Sequence, residues 1–144
     1  MQISEIILIM AIFLDSNILL RYLVADHHEP FEDCRALIVN IQKGTIQPYI
    51  SSIVLLEVAF VLSSVYKVPR SEIIKDIMAI LELRGLVVVE ITHFREAFKL
   101  HQKMKIKLAD CLIATQVPKG VILVTYDRDF TKLPGIMVKT PARI

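Results

Sequence analysis

Four carboxylates stand where ordinary packing has little use for them. Asp15 closes the apolar run Ala11-Ile12-Phe13-Leu14, and Asp127 follows Val121-Ile122-Leu123-Val124 after Thr125 and Tyr126. Glu57 and Asp110 sit inside the apolar stretches Ile53–Leu62 and Leu108–Ala114. A lone buried carboxylate is costly and tends to neutralise. It stays ionised when it is exposed, paired with a base or bound to a cation. Several carboxylates converging on one place repel one another, and a hard divalent cation such as Mg²⁺, which takes oxygen ligands and keeps some of its waters, relieves that repulsion. The chemistry such a site supports is phosphoryl hydrolysis. Asn17 and Thr125 are side chains of the type that orient carboxylates or waters around such a centre.

Each acid also has an ordinary explanation. Asp15 can cap a helix, Glu57 can face solvent or pair with a distant lysine, Asp110 can cap its helix after Lys107, and Asp127 can serve a turn. Only the four acids together, and no one position, point to chemistry.

The elements that must position these acids read as alternating strands and helices. Ala11–Leu14 is a short buried strand. Asp15-Ser16-Asn17 supplies cap chemistry for a helix over 18–23. A helical rhythm runs from Glu29 to Lys43, with Phe31, Cys34, Leu37, Ile38 and Ile41 on one face, and Gly44 ends it. Residues 46–50 read as a turn or an edge strand. Ser51-Ser52 caps a helix to about Tyr66, and Ser71 caps another through Arg84, ended by Gly85. Residues 86–91 form a β-branched strand. Thr92 caps a helix to about Lys103, and a further helix covers 108–116 before the break at Pro118-Lys119-Gly120. Strands at 121–124 and 136–138 follow. Apolar strands alternating with helices predict an α/β fold, a three-layer α/β/α sandwich on a mainly parallel central sheet. In such sheets ligands bind beyond the carboxyl ends of the strands, where Asp15 and Asp127 fall.

The 144 residues suit one domain over 1–144, without a linker, repeat or low-complexity segment. The chain is 54% hydrophobic with mean hydropathy +0.55. Its longest apolar run, Ile6–Leu14, is nine residues, against roughly 20 for a membrane span. No basic segment precedes that run, as a secretion signal requires. The apolar surplus points to an oligomer or partner interface. Cys34 and Cys111 without a secretion signal fit a reducing compartment, and a cytoplasmic location is expected. The pair His27–His28, beside Glu29-Pro30, reads as a solvated helix start rather than a metal site. Net charge is +2, but residues 1–60 carry three basic and seven acidic side chains and residues 61–144 fourteen and eight. Lys99, Lys103, Lys105 and Lys107 form a basic cluster able to attract phosphates, or a solvated helix face.

In order and spacing, the motifs resemble the PIN-domain family, especially its VapC-type toxins. Phe13-Leu14-Asp15-Ser16-Asn17 through Leu23 is similar to that family's opening Asp motif, and Leu55-Leu56-Glu57-Val58-Ala59 through Leu62 to its Glu helix. Leu108-Ala109-Asp110-Cys111 through Ala114 is similar to the third acidic motif, and Val124-Thr125-Tyr126-Asp127-Arg128-Asp129-Phe130 to the closing segment. The resemblance implies a metal-dependent endoribonuclease, the toxin of a type II toxin–antitoxin pair. Asp15, Glu57, Asp110 and Asp127 would surround Mg²⁺ or Mn²⁺, with Asp129 a rival for the fourth acid. It further implies a homodimer and a cognate antitoxin partner. Arg21, Lys103, Lys105, Lys107 and Arg128 are then the cations to grip an RNA backbone. Two features depart from the family pattern. Nine residues precede Met10, so residues 1–9 are an N-terminal extension, or Met10 is the true start. The stretch from Asp110 to Asp127 is also compact.

Two other functions fit parts of the pattern. One is a PIN-like module that binds RNA or a protein without cutting, and a close variant of the main reading is a housekeeping RNA-processing nuclease. A phosphoacceptor signalling domain would need an acid pair after the first strand and an Asp after the 86–91 strand, and neither is present.

Overall fold

The first strand, β1 (Met10–Leu14), explains the architecture. Ile12, Phe13 and Leu14 are consecutive and fully buried. Successive strand residues point to opposite faces, so both faces of the sheet are covered, as parallel sheets require. The computed structural model describes residues 9–24 and 28–144. The N-terminal extension, save Ile9, and His27 lie outside the described residues, as does the side chain of His28.

After β1 come α1 (Ser16–Val24), α2 (His28–Gln42), β2 (Ile46–Ser51), α3 (Ser52–Ser64) and α4 (Arg70–Leu81). Then follow β3 (Val87–Val89), α5 (Phe94–Lys103), α6 (Leu108–Gln116) and β4 (Ile122–Val124), a 3₁₀ turn at Arg128–Lys132, β5 (Val138–Lys139) and a last 3₁₀ turn at Pro141–Arg143. The strand order is β3-β2-β1-β4-β5, with every described pairing parallel. The fold is the expected α/β class. The order reverses between β1 and β4, and ligand crevices of open α/β sheets form at such a reversal. The backbone N–H of Asp15 donates to the Val124 carbonyl at 3.1 Å, so the two strand ends carrying the acids lie side by side.

Several boundaries differ from the sequence expectation. Residues 46–51 form neither a turn nor an edge. They are an interior strand between β1 and β3. Proline cannot donate to a ladder and is rare inside a sheet. The β2–β3 register begins only at Tyr49, so Pro48 precedes that ladder. The α4 helix starts at Arg70 behind Pro69, with no side-chain cap from Ser71, and stops at Leu81. The α5 helix starts behind His93 rather than at a Thr92 cap. There the His93 N–H donates to Thr115 Oγ1 of α6 at 3.3 Å, a tertiary bond that no local pattern encodes. The strand expected over 86–91 spans 87–89, and the last strand is 138–139. Ser51 does cap α3, its hydroxyl accepting from Val54 N at 3.2 Å. Gly44 ends α2 at φ +81, and a Cβ there would meet the Arg84 guanidinium at 2.7 Å.

Candidate active site

Asp15 sits at the reversal and is 3% exposed. It is held on all sides. Its Oδ2 accepts from Thr125 Oγ1 at 2.7 Å and from Asn17 Nδ2 at 3.0 Å, and its Oδ1 accepts from the Ser16 N–H at 2.8 Å. Asn17 Nδ2 also donates to Thr125 Oγ1 at 3.2 Å, tying α1 to the end of β4. The Asp127 N–H donates to Thr125 Oγ1 at 3.0 Å, and Asp127 Oδ1 in turn accepts from the Asp129 N–H at 2.9 Å. Thr125 and Asn17 therefore hold the Asp15 carboxylate, and Thr125 also takes the Asp127 N–H.

Two helices bring further acids. In α3, Val54, Val58 and Leu62 form the buried stripe, and Glu57 flanks it, half-buried. Its Oε1 takes a long bond, 3.5 Å, from Ser16 Oγ. In α6, Asp110 is the third residue of the helix and is 7% exposed. The first turn tolerates aspartate better than the helix middle does, because its charge opposes the helix dipole. Yet Asp110 Oδ2 is buried with no hydrogen-bond partner. Oxygens of Asp110, Asp127 and Asp129 lie within 4.8 Å of one another. Asp127 and Asp129, read as rivals, are thus both brought to Asp110. Asp127 caps the 3₁₀ turn and Asp129 pairs with Lys132 at 3.1 Å.

The acids share one electrostatic field. Burial pushes the Asp110 carboxyl up to about 7, helped by the charges of Asp127, Asp15 and Glu57 and opposed by Lys107. Burial also raises Asp15, against the Thr125 and Ser16 hydrogen bonds, with Asp127 adding to the rise. Glu57 is raised by burial and by Asp15, and lowered by Lys107 and Ser16. A divalent cation fits this donor set: three carboxylates close enough to share it, one of them with a buried, unpartnered oxygen.

The basic residues divide. Lys107 precedes α6 and its charge reaches Glu57 and Asp110. Arg128 is exposed in the turn between Asp127 and Asp129, and Lys103 and Lys105 are exposed on the approach to α6. Arg21 lies in the last turn of α1, its charge acting on Cys34 and Tyr126. Two participants went unmarked in the sequence. Ser16 bridges Asp15 and Glu57, and its place in Asp15-Ser16-Asn17 was the available signal. Tyr126 gives its N–H to Asn17 Oδ1 at 3.3 Å, and its hydroxyl lies 3.5 Å from Cys34 Sγ in α2.

The PIN domain family matches this chain over residues 12–136. That span covers the sheet reversal and every acid described above, and the chain belongs to the PIN domain family. Among solved structures it is similar to VapBC2 from Rickettsia felis bound to a DNA fragment from its promoter, at 23% identity over 91% of this chain and 98% of that one, with TM-score 0.63. It is likewise similar to a toxin–antitoxin complex from Klebsiella pneumoniae, at 22% identity over 90% and 97%, with TM-score 0.62. At that identity the likeness is one of fold. No curated protein sequence gives a significant match.

Proposed function

We propose that the chain is a divalent-metal-dependent endoribonuclease, the toxin partner of an antitoxin. The observation that carries the reading is the buried, unpartnered Oδ2 of Asp110, in a trio whose oxygens lie within 4.8 Å. Burying such an oxygen unpaired costs on the order of 1–3 kcal/mol, unless a ligand meets it. Asp110, Asp127 and Asp129 would hold Mg²⁺ or Mn²⁺, with Asp15 and Glu57 adding negative charge directly or through water. A metal bound there would polarise a phosphoryl oxygen and lower the pKa of a water.

The chain's own groups do the rest. Thr125, Asn17 and Ser16 fix the Asp15 carboxylate, so it needs no reorientation during reaction. Glu57, whose carboxyl is raised by burial and by Asp15, would accept the proton of the attacking water. The water oxygen bonds to phosphorus, the P–O bond to the leaving ribose oxygen breaks, and that oxygen takes up a proton from solvent water while Glu57 returns the one it accepted to solvent. Lys107, beside Glu57 and Asp110, meets the substrate phosphate, with Lys103, Lys105, Arg128 and Arg21 as further backbone contacts.

The toxin reading draws on the similar solved structures, VapBC2 from Rickettsia felis and a toxin–antitoxin complex from Klebsiella pneumoniae. A groove of about 800 Å³ beside α1, α2 and α4, with Tyr22, Phe31 and Ile38 beside Arg35, Lys43 and Asp76 in its wall, offers a protein partner a seat. Leu56 and Phe60, one turn apart on α3 and 69% and 68% exposed, support a homodimer. No helix among the described residues is long and apolar enough to cross a membrane, and a cytoplasmic location accords with this function. The direct test of the site is calorimetric titration of the metal-free protein with Mn²⁺. Binding that Asp110→Asn weakens at least tenfold supports the reading. No binding to the wild type would leave a PIN-like module that holds RNA or protein without cutting.

A further inference from the structure

The loop that carries Thr125, Asp127 and Asp129 leaves β4 with little ladder to hold it. Its backbone is tied at Thr125, whose N–H donates to the Lys139 carbonyl at 3.0 Å, and at Tyr126, whose N–H donates to Asn17 Oδ1 at 3.3 Å. The second tie matters for chemistry. It sets which way the Asn17 amide faces, so that Nδ2 meets both Asp15 and Thr125. The Tyr126 side chain packs against the core and reaches α2, where its hydroxyl meets the Sγ of fully buried Cys34 at 3.5 Å. A half-buried phenol needs a partner for its hydroxyl, and Cys34, one such partner, sits on a different element from every acid of the site.

We propose that Tyr126 is a positioning residue of the acidic site, its phenol anchored on Cys34 of α2 so that the Thr125–Asp129 loop keeps Asn17 and the acids in register. Small displacements matter at such a site. Mg²⁺ demands near-ideal octahedral geometry, and a misplacement of about 1 Å can cost on the order of 100-fold in rate. Tyr126 touches neither metal nor substrate in this account; it acts through Asn17, Thr125 and Asp127.

The test compares wild type with Tyr126→Phe, which removes one hydroxyl and keeps the ring. Amide hydrogen exchange is read at Asp127 and Asp129, whose N–H groups bond within the loop. Positioning predicts exchange at least threefold faster at those amides, with the β1 amides and Tm unchanged. Mn²⁺ affinity falls about three- to tenfold, and kcat falls while KM for RNA stays put. Cys34→Ala reproduces these effects, Cys34→Ser retains most of the protection, and the double variant is no worse than either single one. Equal exchange and equal Mn²⁺ affinity in Tyr126→Phe overturn the proposal, as do additive effects in the double variant. The activity readout rests on the nuclease reading, but the exchange readout does not. Failure of wild type to bind metal would therefore sink the nuclease and leave the positioning claim to be decided by exchange alone.

Discussion

At the scale of single residues, the site is a balance between burial and charge. Asp110 shows it most clearly. Its carboxyl titrates near 3.8 in the unfolded chain and about 7 in the folded one. Between those values the folded chain holds the extra proton, so this group makes stability fall as pH rises through the window. The expected size is on the order of 2 kcal/mol after partial screening. In EDTA, Tm should drop by roughly 5 °C or more between pH 5 and pH 8. Asp110→Asn should flatten that slope, and saturating Mn²⁺ at pH 8 should restore the lost stability. A Tm that rises over the same range would contradict the assignment. Asp15 stood out because it ends a buried apolar strand, although a helix cap would explain an acid there as well. Glu57 and Asp110 were legible because their neighbours are apolar. Asp129 was not separable from Asp127, since a turn cap and a ligand look alike in sequence. The Tyr126 tie was invisible, because Cys34 stands 92 positions away.

At the scale of elements, local signals worked where the interaction is local. Ser51 before an apolar stretch predicted the α3 cap, and the structure supplies the bond to Val54. Ser51→Ala should cost about 1 kcal/mol, lowering Tm by a few degrees in a thermal melt, with no change in metal affinity. No change in Tm would mean that the cap adds nothing to the packing of Val54 and Val58. Gly44 matters for a different reason. Its positive φ strains any side chain there, and a Cβ would push the exposed Arg84 guanidinium aside, so Gly44→Ala should destabilise by about 1 kcal/mol in urea denaturation. Signals failed where tertiary contacts decide. Residues 46–50 read as a turn or an edge, but they form an interior strand in which the short β3 leaves Pro48 unpaired on one side. The α5 start is set by Thr115 across the helix pair rather than by Thr92.

At the scale of the whole molecule, alternating apolar strands and helices were enough to give the α/β class. They could not give the strand order, because order depends on which crossover skips which strand. That order puts β1 beside β4 and so creates the site. The exposed pair Leu56 and Phe60 belongs to this scale too. The homodimer proposal predicts that wild type sediments as a dimer and that Leu56→Ser with Phe60→Ser sediments as a monomer with an unchanged circular dichroism spectrum. A wild type that remains monomeric at high concentration removes the dimer from the account.

The most direct test of the central claim is cleavage of a mixed pool of structured and single-stranded RNA by the purified protein in Mg²⁺, Mn²⁺ or EDTA, beside Asp15→Asn and Asp110→Asn. The account predicts cutting in either metal, none in EDTA, and a loss on the order of 100-fold or more in each variant, with both variants folded. Cutting that persists in EDTA, or full activity in Asp110→Asn, would contradict it.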